Sequence, residues 1–323
     1  MRIKKFRDQN GQFFIAVQCE GKWIIIEKAA NATGHSILKQ LNGDMITFLE
    51  YYKTNKNDVC ELIRTASKDA YAEENMEEVM PFQPVLYRDF LLTEEHYINC
   101  SRGMAKMFLP WTTPFIKGYE FITRKTFPAL KPKKRFYQNP IYYKGNHLSF
   151  FGDNTDIEFP DYATVKDYEL ELGIIISRSV KDASIEEAEE AIGGFCIFND
   201  FSARNMQIPE MDSTGPCKTK DFASAISNVV VTSDEILPFL ESLETRVFIN
   251  EELVATGHMN SFYHSIASAV AYASVGERLM PGEFMGSGTI PNCCGMENGH
   301  LLKSGDTIRI EIDRIGSLTN HII

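Results

Sequence analysis

Alternation of apolar and polar positions near the N-terminus predicts short strands. FFIAVQ (13–18) and KWIIIE (22–27) are the clearest examples, with turn residues at Asn10-Gly11 and Glu20-Gly21. From His35 to about residue 75, apolar residues recur every three or four positions in SILKQL, MITFLEYY and VCELIRTA, which predicts helices. The acidic and then proline-bearing stretch EENMEEVMPFQP indicates a linker near 75–84. We therefore expect a small strand-then-helix module over 1–80 and a larger body over 85–323.

The pattern of the body mixes strands with helices. Strands are predicted at YELELGIIIS, GGFCIFN, NVVVTS, TRVFIN and TIRIEID, and helices at SIEEAEEAI and FYHSIASAVAYASV. Residues 103–142 are rich in proline, aromatic residues and lysine, which favours a long irregular segment. Together these patterns predict an α+β fold in which a curled mixed β-sheet, as a roll or sandwich, carries flanking helices.

Composition and charge narrow the classes of partner. The chain of 323 residues has a formal net charge of −11, which disfavours nucleic acid as a partner. Its apolar runs are too short to cross a bilayer, and no apolar core of a signal peptide follows the basic N-terminal residues, so we expect no membrane partner. Seven cysteines without a CxxC pair fit a reducing compartment, and we expect a cytoplasmic protein.

The stretch DYELELG (167–173) places two carboxylates on one side of a predicted strand. Successive side chains point to opposite faces, so Tyr168, Leu170 and Leu172 share one face and Glu169 and Glu171 share the other. Two adjacent like charges repel and raise each other's pKa. The pair therefore indicates either a strand that faces solvent or a divalent cation held between the carboxylates.

Two further stretches carry groups that suit an anionic reaction intermediate. In FNDFSARNMQ, a strand ends near Asp200, and Asp200, Arg204 and Gln207 would form one stripe if a helix began there. That stripe is either an Asp–Arg helix pair or a carboxylate ligand with two groups that stabilise an oxyanion. In GPCKTKDF, Lys218 and Lys220 are either solvated or, beside a carboxylate cluster, a source of charge balance.

The stretch YRDFLLTEEH places His96 seven residues after Asp89, two turns on if the segment is helical. A histidine is the natural general base at neutral pH, although a lone histidine is more often structural. The Gly-rich run GSGTIPNCCGMENG lacks the context of a dinucleotide fingerprint and indicates tight turns that carry Thr289 and Glu297. Carboxylates without a nearby His or Cys ligand favour Mg²⁺, with Mn²⁺ or Ca²⁺ as alternatives, over zinc.

Taken in order, these stretches resemble the fumarylacetoacetate hydrolase family from about Asp89 to the C-terminus. The motifs that carry the resemblance are RDFxxxxxH, YYKGN, DYELELG, FNDFSARNMQ, GPCKTKDF, GSGTIP and SGDTIRIEIDRIGSLTN. The resemblance implies a fold of that family's type over 85–323, a homodimer and a metal held by four carboxylates. The implied ligands are Asp89, Glu169, Glu171 and Asp200.

The same resemblance implies roles for seven further residues. His96 matches the base that activates water, and Glu297 matches, more loosely, the acid that orients it. Arg204, Gln207 and Lys220 match groups that stabilise negative charge, while Tyr143 and Thr289 match positions that contact substrate. The implied activity is metal-dependent hydrolysis of a C–C bond in a 1,3-dicarbonyl keto acid, with an enolate as the leaving group. A keto-acid decarboxylase, an isomerase or hydratase, and a metal-binding protein without catalysis remain the alternatives.

Two positions depart from the family's pattern for its specific hydrolases. Leu91 stands where those enzymes place a tyrosine, and Ala105 stands where they place an arginine. Both of the missing groups bind the carboxylate end of the substrate, so fumarylacetoacetate itself is not the expected substrate. Arg102 or Lys106 would substitute only with a different local backbone. The basic stretch that contains Lys131, Lys133, Lys134 and Arg135 is either a replacement source of cations or a solvated surface.

Overall fold

A computed structural model gives the structure of the protein, and it describes residues 1–31, 36–211, 213 and 215–323. The predicted start of the helical region at His35 lies outside the described residues. The described part confirms the predicted class, an α+β fold of mixed sheets with flanking helices. Among the described helices, none is both long enough and apolar enough to cross a membrane.

The strands of the described chain are short, and none has more than nine residues. In chain order they are β1 (Arg2–Arg7), β2 (Phe13–Cys19), β3 (Lys22–Ile25), β4 (Glu77–Val79), β5 (Leu86–Leu91), β6 (Ile141–Gly145), β7 (Phe150–Phe151), β8 (Thr155–Ile157), β9 (Lys166–Asp167), β10 (Leu170–Ile176), β11 (Ile192–Asp200), β12 (Ser202–Ala203), β13 (Ser224–Ile226), β14 (Val230–Thr232), β15 (Glu244–Ile249), β16 (Glu252–His258), β17 (Glu283–Gly286), β18 (Thr307–Ile312) and β19 (Gly316–Ile322).

The helices of the described chain are mostly amphipathic and pack against the sheets. They are α1 (Ile26–Ala30), α2 (Ser36–Lys39), α3 (Met45–Thr54), α4 (Lys56–Thr65), α5 (Glu94–Phe108), α6 (Thr113–Thr123), α7 (Lys134–Gln138), α8 (Ile185–Ala191), α9 (Arg204–Met211), α10 (Cys217–Lys220), α11 (Ser233–Ile236), α12 (Ile266–Ser274) and α13 (Gly295–Asn298).

Three sheets organise the molecule. The largest has twelve strands with the main order β3-β2-β1-β14-β11-β10-β17-β5-β6, and β4, β7 and β13 join it off this path. A second sheet of five strands has the order β16-β15-β18-β19-β8, and β9 pairs with β12 in a third. At the edge of the largest sheet, β5 and β6 are antiparallel with Asp89 opposite Tyr143, whereas β17 and β5 are parallel.

Two apolar cores lie on the two faces of the largest sheet. The predicted alternation along β10 is confirmed, because Tyr168, Leu170 and Leu172 belong to one core and Ile175 belongs to the other. The first core fills the space between this sheet, the five-stranded sheet, α8 and α12. The second core packs the opposite face against α3 and α4. Glu169 and Glu171 therefore lie on the side of the sheet that the N-terminal helices also cover.

The N-terminal strands and helices form where the sequence predicts them, but the acidic stretch is not a free linker. Part of it forms β4, which pairs with β1 because Glu77 and Glu78 face Arg7 and Lys4 across the two strands. β1 also pairs with β14 of the body. The largest sheet thus runs across the boundary that we predict near residue 80, and the division into two domains stays a prediction.

The segment 103–142 is more regular than the sequence predicts. It contains the end of α5, all of α6 and α7, and 3₁₀ turns at Pro110–Thr112 and Pro128–Leu130. The prolines favour an irregular segment in the sequence, but in the structure they lie in the first turns of helices. At those positions the missing N–H costs no hydrogen bond, and the fixed φ of proline suits a helix. The expectation of a long irregular segment is therefore wrong.

Candidate active site

Three carboxylates from three strands of the largest sheet converge on one point. Asp89 comes from β5, Glu171 from β10 and Asp200 from the end of β11, and one oxygen of each lies within 4.8 Å of the others. β17 runs between β5 and β10, and its last residue is Gly286. A Cβ atom at Gly286 would meet Asp89 Oδ1 and lie 2.6 Å from Glu171 Oε2. The absent side chain is therefore what leaves room for the carboxylates to approach each other.

The donor set of this trio fits a divalent cation. All three carboxylates are buried, and burial together with mutual repulsion raises the pKa of Asp89 and of Glu171 well above its ordinary value. Within the described chain, Asp89 Oδ1, Glu171 Oε1 and Asp200 Oδ1 are buried without a hydrogen-bond partner. Buried acceptors of this kind are costly unless something bonds them. Oxygen-only donors suit Mg²⁺, Mn²⁺ or Ca²⁺.

Glu169 has a different environment, although it shares the strand face with Glu171. Arg204 Nη2 donates to its Oε1 at 2.6 Å, and Lys220 Nζ donates to its Oε2. Burial opposes ionisation, but the two cations outweigh it and hold the pKa of Glu169 well below its usual range. Lys220 also pairs with Asp200 Oδ2 at 2.5 Å, so it links Glu169 to the trio. Attraction by both carboxylates overcomes burial and raises the pKa of Lys220.

Asp200 and Arg204 do not form the helical stripe that their spacing suggests. β11 continues to Asp200, and α9 begins only at Arg204, because the chain first makes β12 beside β9. Arg204 is fully buried behind Glu169, where its Nε donates to Asp167 Oδ2 at 2.6 Å and its Nη1 to Gln207 Oε1 at 3.1 Å. The arginine therefore fixes the carboxylates of Asp167 on β9 and of Glu169 just before β10, and the amide of Gln207, in place.

His96 and Glu297 form a buried pair. His96 Nδ1 lies 2.5 Å from Glu297 Oε1, and the backbone N–H of Asn292 donates to the other oxygen of Glu297. Burial lowers the pKa of the imidazole, but the adjoining carboxylate outweighs this and raises the pKa of His96 to about 9. The other ring nitrogen, Nε2, lies 3.8 Å from Glu169 Oε1. Glu297 thus orients the ring so that Nε2 points towards the carboxylates.

Close packing between α5 and α13 holds this pair together. Cys100 and Met104 on α5 pack against Cys294 and Met296. Gly103 makes the approach possible, because a Cβ atom there would collide with the carbonyl oxygen of Met296. The helix that carries His96 is therefore seated directly on the one that carries Glu297.

A cavity of about 610 Å³ opens beside these groups, within the usual range of small-molecule sites. Among the residues that sequence analysis singles out, those on its wall are Asp89, Leu91, His96, Ala105, Tyr143, Glu169, Glu171, Gln207, Lys220 and Thr289. Tyr143 donates to Asp200 Oδ2 at 2.9 Å, while Thr289 Oγ1 is buried without a partner in the described structure. Lys218 is exposed, so of the two lysines only Lys220 faces the site.

Asp167 is the residue of this region that sequence analysis misses. It is fully buried, and besides Arg204 it accepts hydrogen bonds from the backbone N–H groups of Gly295 and Met296 at the start of α13. It thereby connects the arginine behind Glu169 to the helix that bears Glu297. The acidic residue is visible at the head of DYELELG, but Arg204 is 37 positions away and Gly295 and Met296 are 128 and 129 positions away, so no local pattern reveals these partners.

A family model described as fumarylacetoacetate (FAA) hydrolase C-terminal matches residues 124–323 of the chain. A protein of Burkholderia ambifaria, named no more specifically than a hydrolase, is 29% identical over 181 residues, which is 55% of this chain and 64% of that protein. The match thus spans less than two thirds of that relative's length. The fumarylacetoacetate hydrolase domain-containing protein 2 homolog of Dictyostelium discoideum is 29% identical over 205 residues, or 60% of this chain and 67% of its own.

Solved structures share the fold across the whole chain. A fumarylacetoacetate hydrolase from Exiguobacterium antarcticum is similar with a TM-score of 0.67 at 21% identity, covering 100% of this chain and 99% of its own. A maleylpyruvate hydrolase from Sphingobium sp. SYK-6, in complex with manganese(II) and pyruvate, has a TM-score of 0.67 at 16% identity with the same coverage. A 2-hydroxyhepta-2,4-diene-1,7-dioate isomerase from Mycobacterium marinum has a TM-score of 0.64 at 19% identity, covering 100% and 98%.

Proposed function

The chain belongs to the fumarylacetoacetate hydrolase family, and from that premise we propose that it is a metal-dependent hydrolase. The reaction is cleavage of a C–C bond in a 1,3-dicarbonyl keto acid of the acylpyruvate type. One observation carries the proposal: His96, which Glu297 orients, lines the same cavity as Asp89 and Glu171 of the carboxylate trio. Hydrolysis needs an oriented base for water, which His96 supplies, and a positive charge to bind an anionic substrate, which a cation held by the carboxylate trio would supply.

Asp89, Glu171 and Asp200 would hold the cation, and Glu169 would join them as the fourth carboxylate if Lys220 released its oxygen. Mg²⁺ is the proposed ion, with Mn²⁺ or Ca²⁺ as alternatives, because every donor is an oxygen. When bound, such an ion supplies Lewis acidity towards the substrate's oxygens and charge balance for the buried carboxylates. Its positive charge would also lower the pKa of His96, which supports a neutral imidazole at working pH.

Neutral His96 accepts a proton from water at Nε2 while Glu297 holds the ring through Nδ1. The water oxygen bonds to the acyl carbonyl carbon, and Lys220 and Gln207 on the cavity wall stabilise the oxyanion. The bond between that carbon and the neighbouring methylene then breaks. Its electron pair forms the enolate of pyruvate, and the imidazolium returns the proton to the methylene carbon. The products are a carboxylic acid and pyruvate. Arg204 contributes by positioning Glu169 and Gln207.

An isomerase or decarboxylase on the same scaffold is the second candidate function. The observation that favours it is the pKa of about 9 for His96, since an imidazolium ring donates rather than accepts a proton. One isomerase also has this fold. A binding protein without catalysis is the weakest alternative, because it needs neither an oriented histidine nor a buried lysine.

The test is a product-resolved assay of acylpyruvates, other β-diketo acids and oxaloacetate, with Mg²⁺ or Mn²⁺ and then with a chelator. Equal amounts of a carboxylic acid and pyruvate, lost on chelation, are the expected result. Carbon dioxide or a tautomer without acyl cleavage would instead establish the second function. We also propose a cytoplasmic homodimer, which the seven free cysteines and the resemblance support, and sedimentation of the purified protein tests its oligomeric state.

A further inference from the structure

The cavity extends well beyond the reacting groups, along one face of α5. His96, Tyr97, Cys100, Ser101, Met104 and Ala105 line it, and their spacing of three, four or one positions forms a single stripe. Ala105 lies nine positions after His96, so the wall continues for about 13 Å at 1.5 Å per residue. This wall is long enough to contact the distal arm of the substrate, the part that leads away from the reacting carbonyl groups.

Beyond the reacting groups, the cavity is lined by apolar side chains from several elements. Leu109 follows α5, Ile116 comes from α6, Leu130 from a 3₁₀ turn and Ile141 from β6. Ile208 and Met211 of α9 also line the cavity, and both are partly exposed, at 41% and 51%. Leu91, at the end of β5, lies on the wall between this region and Asp89. These residues together form the far wall.

Charge is confined to the other end. Among the described residues that line the cavity, the charged side chains are Asp89, Glu169, Glu171, Lys220 and His96. They form one connected cluster, because Lys220 bonds Glu169 and the trio, and His96 lies 3.8 Å from Glu169. Lys220 and His96 already have carboxylate partners.

The cations that could serve the far wall are turned away from it. Arg102 is exposed and pairs with Glu120 at 3.0 Å, and Lys106 is exposed. In the basic stretch, Lys131, Lys133, Lys134 and Arg135 are all exposed as well. These six side chains therefore belong to a solvated surface, and among the described residues that line the cavity none offers a cation at the far wall.

From this distribution we propose that the substrate's distal arm is an apolar chain or ring, and that the protein discriminates against keto acids whose distal arm ends in a carboxylate. The inference rests on the proposed function for the identity of the reacting end. Each additional methylene that the cavity buries should raise kcat/KM about fourfold, because burying one methylene is worth about 0.8 kcal/mol. A charged end would lose its hydration without a partner.

Two substrate series of matched length test the inference with the wild-type enzyme and Mn²⁺. One series is alkanoylpyruvates with acyl chains of increasing length, and the other carries a terminal carboxylate on the same chains. We expect kcat/KM to rise about fourfold per methylene until the far wall is filled. We expect each carboxylate-ended compound to be at least tenfold slower than its alkyl counterpart. No dependence on length, or a preference for the carboxylate series, would overturn the inference.

A pair of variants adds the same charge on two sides of α5. Ala105→Arg places a cation on the far wall, whereas Met107→Arg places one at a site that is 43% exposed and off the cavity. In Ala105→Arg, we expect the ratio of kcat/KM for alkyl arms to kcat/KM for carboxylate-ended arms to fall or to reverse. In Met107→Arg, we expect the wild-type ratio. Thermal unfolding of both variants verifies that they fold. Equal preferences in a folded Ala105→Arg protein and in wild type would contradict the placement of Ala105 on the substrate-binding wall.

The design separates this inference from the proposed function. Cleavage of short acylpyruvates without any gain from longer alkyl arms would leave the function standing and overturn the inference. If no compound is cleaved, calorimetry with Mn²⁺ and the same two series decides the matter. Binding that tightens with alkyl length would support the inference while overturning the proposed hydrolysis.

Discussion

Glu169, just before β10, and Glu171, on β10, lie on the same side of the sheet, yet their pKa values are shifted in opposite directions. Burial opposes ionisation of both carboxyl groups. For Glu169 the cations Arg204 and Lys220 outweigh burial and lower its pKa. For Glu171 the neighbouring Asp89 and Asp200 add to burial and raise it. One glutamate is therefore already neutralised by the protein, while the other belongs to a cluster that an external cation would neutralise.

Replacing each of these glutamates should have opposite effects on the metal-free protein. Glu169→Gln removes the charge that Arg204 and Lys220 bind, and breaking such a buried pair typically costs about 3–5 kcal/mol. Glu171→Gln removes repulsion among buried carboxylates and should leave the free energy of unfolding equal or higher. Urea unfolding in EDTA at pH 7.5 measures both. Equal losses in the two variants would contradict the difference in environment.

Divalent cations should stabilise the wild-type fold by mass action. At a concentration of one hundred times Kd, the free energy of unfolding should rise by about 2.7 kcal/mol. Asp200→Asn removes one of the three converging carboxylates and should abolish most of that gain. Glu241→Gln removes an exposed carboxylate and serves as the matched control. A gain with Mn²⁺ that survives in Asp200→Asn would place the binding site elsewhere.

Lys220→Ala should lower kcat by about 10²–10³-fold, because loss of one oxyanion donor typically costs that much. Lys218→Ala provides the control, since Lys218 is exposed two positions away. Steady-state kinetics with a keto acid that wild type cleaves in the product-resolved assay give kcat and KM separately. Circular dichroism verifies that each variant is folded. Wild-type kcat in a folded Lys220→Ala protein would remove this lysine from the reaction.

Glu297→Gln should lower the pKa of His96 from its value of about 9 in the metal-free protein. The adjoining carboxylate is the main cause of the upward shift, whereas burial acts in the other direction. NMR titration of the His96 ring in the presence of EDTA measures the pKa directly. An unchanged titration in Glu297→Gln would show that the pair does not couple as its 2.5 Å separation indicates.

Glu27 should make stability depend on pH at a place remote from the cavity. Burial raises the pKa of this carboxyl from 4.5 to about 6, although the backbone N–H groups of Ile15 and Gly43 bond it. The folded state thus binds the proton more tightly than the unfolded chain. The contribution to stability is fully present below pH 4.5 and is lost as the pH rises through about 6, a change of about 2 kcal/mol.

Glu27→Gln should remove this pH dependence. Between pH 4 and 7.5, wild type should therefore lose about 2 kcal/mol of unfolding free energy relative to the variant. Glu50→Gln, at an exposed position, is the control. A difference that stays constant with pH would mean that Glu27 titrates normally in the folded protein.

Sequence patterns predict most of the strands and helices because local alternation and turn residues determine them. They also predict that Glu169 and Glu171 share a face, since the period of a strand is two. The patterns fail at Pro110 and Pro114, which begin helical turns instead of excluding them. They also cannot show that Arg204 forms ion pairs with Asp167 and Glu169, because those pairs depend on how separate elements pack together.

The pairing of β5 with β6 has a consequence for how this protein could change. α5, α6 and α7 leave the sheet after β5 and return to it at β6, whose residues lie opposite those of β5. The stretch between these strands thus begins and ends at adjacent points of one rigid edge. Changes in α6 and the turns around it would alter the wall of the cavity and so the selectivity, whereas α5 has to be kept because it carries His96. The carboxylates of β10 and β11 would keep their reactivity throughout.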